Sequence, residues 1–83
     1  MIVNLNVGDT IYNKRNLNNI MIQNWKFGSY CENYKDGFVS GTKFEIVELN
    51  KIPGNMWVKA KARSDARRVL KISGEEYANN FRI

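Results

Sequence analysis

Residues 56–63 read Met-Trp-Val-Lys-Ala-Lys-Ala-Arg, with Met56, Val58, Ala60 and Ala62 at one parity and Trp57, Lys59, Lys61 and Arg63 at the other. Side chains alternate across a strand, so this is the pattern of a strand with one buried and one solvated face. Residues 43–49 begin with the same alternation, which turns Phe44 and Ile46 toward a core. Between the two runs, Pro53-Gly54 suits the central positions of a type II turn. Residues 50–55 are therefore expected to be the loop of a hairpin.

The flanking segments extend this β pattern. Val7-Gly8-Asp9-Thr10-Ile11-Tyr12 reads as a short strand entered through a Gly-Asp turn, with Val7, Asp9 and Ile11 on one face. Over residues 13–37, Asn-rich turns are interleaved with Ile20-Met21-Ile22 and the aromatic group Trp25, Phe27 and Tyr30. One strand over residues 20–27 is expected inside this long excursion. The helical alternative, residues 17–25, is weakened by Asn16, Asn18, Asn19 and Asn24, whose side chains compete for backbone hydrogen bonds. After Ser64-Asp65-Ala66 a further strand holds Val69, Leu70, Lys71 and Ile72. Ser73 and Glu76 then form a capping box for one helical turn through Tyr77, and residues 81–83 close the chain as a strand.

Eighty-three residues suffice for one domain, residues 1–83, of the all-β class: mainly β with one short helical turn. Hydrophobic residues make up 43% and charged residues 25%, a globular balance. The longest aliphatic run, Ile20-Met21-Ile22, is far short of a membrane span, and residues 1–10 lack both a basic start and an apolar stretch. A lone Cys31 excludes an internal disulfide and fits a reducing, cytoplasmic setting. Twelve Asn, eight Ile and eight Lys are a composition typical of AT-rich genomes such as those of many phages and mobile elements.

The order of elements resembles the SH3-like barrels: a long early loop, Gly41-Thr42 before a strand, a tight turn, Trp57-Val58-Lys59-Ala60, a further strand, a helical turn at Tyr77 and a last strand. Against the signalling branch of that family, Gly41, Trp57, Ala60 and Tyr77 match by position. Val58 stands in place of a second aromatic, Ser73 stands near the Pro, and the early Ala-Leu-Tyr-Asp-Tyr signature is absent. The resemblance implies a small SH3-like barrel and raises the prior for a binding role, with aromatic residues available to line a groove.

Catalytic constellations are not found. With no His there is no imidazole base and no usual zinc ligand set, so neither a metal nor another cofactor is expected. Glu45 and Glu48, three apart on a strand, should point to opposite faces, while Glu75 and Glu76 suit helix capping. Cys31 has no basic residue within three positions to activate it, and no phosphate-cradling glycine motif occurs. The chain is expected not to be an enzyme.

Charge is more informative. Residues 59–71 contain Lys59, Lys61, Arg63, Arg67, Arg68 and Lys71 against the single acid Asp65, and so account for the whole formal net charge of +5. Such a localised positive field attracts phosphate backbones, and Trp57 at the head of the same face could stack on an unpaired base. The competing reading is a Trp57 packed under loop residues, with the lysines a solvated face or edge protection. Trp25, Phe27 and Tyr30, with Lys26 among them, could make a second stacking surface, but the three aromatics are expected in the core. The leading expectation is a nucleic-acid-binding module. The alternative is a phage or mobile-element factor docking on an acidic face of a host protein, with a homodimer through exposed strand edges left open.

Overall fold

A computed structural model describes residues 2–28 and 37–83. After a 3-10 turn at Ile2–Asn4, the elements are β1 (Thr10–Asn13), α1 (Asn19–Gln23), β2 (Lys43–Asn50), β3 (Trp57–Ala62), β4 (Asp65–Ser73), α2 (Gly74–Asn80) and β5 (Phe81–Arg82). The strands form one antiparallel sheet in the order β4-β3-β2-β1-β5, curled into a half-barrel. This architecture is mostly β and compatible with an SH3-like barrel.

The hairpin of β2 and β3 forms where the alternation puts it. Phe44, Ile46, Val58, Ala60 and Ala62 are fully buried on the inner face. The connecting turn has the Asn55 N–H donating to the Ile52 carbonyl and Gly54 at φ 84°, a left-handed conformation suited to the third position of a type II turn. The Ser73 hydroxyl accepts from the Glu76 N–H at 3.1 Å and caps α2. That helix runs through Asn80, beyond the single turn expected.

The segment over residues 20–27 differs from expectation. Its first part is the helix α1, not a strand, because the asparagines act as caps. The Asn18 side chain accepts from the Met21 N–H at 2.8 Å, and Asn24 closes the other end through bonds to carbonyls of the last turn. Ile22 is thereby buried, and Met21 and Trp25 pack against the core. Strand β1 likewise begins at Thr10, since Val7 and Gly8 lie in a turn that the Asp9 carboxylate closes by accepting from the Asn6 N–H.

Aromatic rings connect the core. Phe38 meets Phe44 edge-on at 5.0 Å between centroids, Phe44 meets Phe81 at 5.7 Å, and Trp25 and Tyr77 flank Phe81 at 6.0 and 6.2 Å. Phe38 is held by a two-way backbone bridge with Leu17. The bridge requires Gly37, because a Cβ there would collide with the Leu17 carbonyl.

A buried carboxamide organises the end of β1. The Asn13 Nδ2 donates to the carbonyls of Arg15 (2.9 Å), Val39 (2.8 Å) and Phe38 (3.3 Å), while its Oδ1 accepts from the Thr42 N–H at 2.7 Å. Replacing it by Leu leaves buried backbone groups unpaired, and unpaired groups cost about 1–3 kcal/mol each. Asn13→Leu is therefore expected to lower the unfolding free energy by about 3 kcal/mol in urea titrations. A loss below about 0.5 kcal/mol would show the carboxamide to be dispensable.

Burial holds the Tyr77 phenol above its ordinary value of 10.0. The folded chain thus retains a proton that the unfolded chain releases, so this contribution to stability is intact below pH ~10 and is lost as pH rises further. A Tyr77→Phe chain should show a flatter alkaline limb in thermal unfolding measured from pH 8 to 11.

Candidate functional site

The outer face of the half-barrel collects the charge, and two strand irregularities decide which residues reach it. The first is in β2, where Ile46 pairs with Ala60 but Glu48 pairs with Lys59, leaving Val47 as a bulge. Such an extra residue shifts the side-chain parity beyond it. Glu45 and Glu48 consequently share the outer face, opposite Lys61 and Lys59, rather than pointing to opposite faces. The bulge also lets β2 bend, so that its first half pairs with β1 and its whole length with β3.

The second irregularity is in β4. Ala62 pairs with Asp65 and Lys61 with Val69, so the register shifts across Ala66, Arg67 and Arg68. Arg67 turns back onto Asp65, with Nε 3.2 Å from Oδ1 and Nη2 3.3 Å from Oδ2. Bonds from the Arg67 side chain and backbone hold the Asp65 carboxyl below its ordinary 3.8. Arg68 lies over the Phe38 ring at 4.1 Å and donates to the Gly37 carbonyl, closing one margin of the core.

The other five sequence-selected residues lie together. Trp57, Lys59 and Lys61 share the outer face of β3, and Lys71 stands opposite Lys59 on β4. The Lys71 ammonium sits 4.4 Å from the Trp57 ring centroid and 4.6 Å from that of Phe27. Trp57 is half-buried, so the indole is partly covered without being lost to solvent. Arg63, in the turn after β3, reaches across the sheet to the Thr10 hydroxyl at 3.1 Å. Phe27 is thus half-buried against Lys71 rather than in the core, whereas Trp25 does pack there. Tyr30 and Cys31 lie outside the described residues.

The pairing adds residues that the charge run does not reveal. Lys43 and Tyr12 are paired on the outer face, Tyr12 pairs in turn with Arg82, and the Arg82 guanidinium lies 5.0 Å from the Tyr12 centroid. Among the described residues, the outer face therefore gathers Lys43, Lys59, Lys61, Arg63, Lys71 and Arg82 against Glu45 and Glu48. Lys14 and Arg15 are used elsewhere, on the carbonyls of Ala78 and Asn79 at the end of α2. There they oppose the negative end of the helix dipole.

A pocket of about 340 Å³ beside α2 is lined by Ile2, Met56, Gly74 and Ala78, with Lys26 and Glu75 as its charged members. Glu75 is the one carboxylate in that lining, so no pair of acids converges there. Among the described residues, no three His, Cys, Asp or Glu side chains group as metal ligands, and no helix is long and apolar enough to cross a membrane. Comparison of the chain with protein-family models, with curated proteins and with solved structures finds no match in any of the three.

The Asp65 contact has a signed pH dependence. A carboxylate depressed in the fold contributes stability above its unfolded value near 3.8, and that contribution is lost as pH falls through the lower folded value. The thermal midpoints of the parent chain and Asp65→Asn should differ at pH 7 and converge below pH ~3. The difference should be small, since the Arg67 side chain is 80% exposed.

Proposed function

We propose that this chain is a non-enzymatic binding module of SH3-like architecture that takes nucleic acid on the outer face of its sheet. The observation that carries the reading is the gathering of six cations and two carboxylates on one solvated face that also bears Trp57 and Tyr12. Phosphate contacts supply most of the affinity of such an interface, and aromatic rings supply contacts to bases. Within the basic segment, Lys59, Lys61, Arg63 and Lys71 carry the role. Arg67 and Arg68 contribute mainly through Asp65 and Phe38.

Binding of a labelled oligonucleotide should weaken steeply with salt. For about five neutralised phosphates the slope of log affinity against log salt is near −4. The double variant Lys59→Glu, Lys61→Glu should reduce affinity by at least about tenfold and flatten that slope. Unchanged affinity in the double variant would overturn the reading.

The second reading, a protein-interaction factor docking on an acidic partner, draws on Val47, an apolar side chain exposed at the bulge beside Glu48. Capture from lysate with and without nuclease separates the two. Loss of the captured material on nuclease treatment supports nucleic acid, while a nuclease-resistant protein at fixed stoichiometry supports docking in its place. Capture of neither counts against both.

A further inference from the structure

Two rings on the outer face each carry a cation. Lys71 Nζ lies 4.4 Å from the centroid of Trp57 on β3, and Arg82 Cζ lies 5.0 Å from that of Tyr12 on β1. Both residues are half-buried. Tyr12 pairs with Lys43 and Trp57 with Asn50, which places the rings near opposite ends of β2. At about 3.3 Å per residue and about 4.8 Å between strands, they stand roughly 25 Å apart along the sheet. Between them lie Lys59 and Lys61 on β3 and, opposite these, Glu48 and Glu45 on β2.

Resting on the nucleic-acid reading of this face, we propose that its ligand is single-stranded. The strand lies obliquely across the sheet from Trp57 to Tyr12, with a base stacked at each ring and the intervening phosphates on Lys59, Lys61 and Lys43. The argument is geometric. A duplex keeps its bases stacked on one another and offers only their edges, in grooves that a helix or β-ribbon must enter. A half-buried ring on a sheet face can instead receive the flat surface of an unpaired base. The cation over each ring covers one of its faces, so a base stacks on the other face or takes the cation's place and releases it to the adjoining phosphate. The span suits the short end of the range of about 4 to 16 nucleotides covered by a small single-strand-binding barrel. Charge complementarity alone would serve a duplex equally well. The paired rings favour the single strand.

The test is fluorescence anisotropy on the full chain at constant low salt, with labelled oligothymidylate, oligouridylate and a mixed-sequence DNA duplex of equal length. Either single strand is expected to bind at least about tenfold more tightly than the duplex. The two single-stranded probes also report whether DNA or RNA is preferred. Trp57→Ala and Tyr12→Ala should each weaken single-strand binding by about tenfold and change duplex binding by less than about twofold. Trp57→Phe, which keeps a ring, should retain most of the affinity. The comparison of probes on the parent chain needs no variant, so it stands even if an alanine variant fails to fold. Equal affinity for single strand and duplex, or equal losses on both in Trp57→Ala, would overturn the single-strand assignment while leaving the phosphate reading intact. No binding to any of the three probes would overturn both.

Discussion

The buried carboxamide of Asn13 ties three segments of this half-barrel together. A buried amide must be paired on both its oxygen and its nitrogen, and Asn13 meets that requirement with the backbone of Arg15, Phe38, Val39 and Thr42. It thereby draws the end of the excursion after β1 back onto the start of β2. Phe38 is carried onto Phe44, and Phe44 in turn packs on Phe81. The short strand β5, with only two residues, is held against β1 by this packing and by the Lys14 N–H donating to the Asn80 carbonyl. One buried polar group thus ties the excursion after β1 to the start of β2.

The outer face follows from that scaffold and from its irregularities. In a regular ladder, Glu45 and Glu48 would fall on opposite sides, and Arg67 would follow the parity of Val69 and Lys71. The bulge at Val47 and the register shift in β4 between Asp65 and Val69 change both outcomes. Two carboxylates join the cationic face, while Arg67 is drawn to Asp65 and Arg68 to Phe38. Lys43 and Arg82 join from strands remote in sequence. The resulting surface remains positive, but its cations alternate with acids and rings instead of forming a uniform basic stripe.

That distribution also explains why a chain this small can carry so many cations. Fixed partners hold several of them: Lys14 and Arg15 on the carboxyl end of α2, Lys51 on the Val3 carbonyl, Arg68 on an aromatic ring. Lys59 and Lys61 face carboxylates across the strand pair, which relieves repulsion between neighbours on the same face. Lys71 rests between two rings, where the quadrupoles of Trp57 and Phe27 attract it.

Local alternation was sufficient to read the hairpin of β2 and β3, its type II turn, the Ser73 cap and the final strand, because each depends on residues adjacent in the chain. It also placed Trp57, Lys59 and Lys61 on one solvated face, since parity within a regular strand is a local property. The helix α1 was not legible in the same way. Asn18 and Asn24 have the side chains of both a helix cap and a helix competitor, and only the burial of Ile22 against the core selects the cap. The bulges depend on register between strands, which no single strand encodes, and with them went the true positions of Glu48, Arg67 and Arg68. Tyr12, Lys43 and Arg82 became part of the candidate site only through pairing across β1, β2 and β5. Alternation along β3 is enough to foretell a basic β surface bearing a tryptophan; strand pairing sets which charges share it, because side-chain parity holds along a strand but is reset wherever two strands slip past one another.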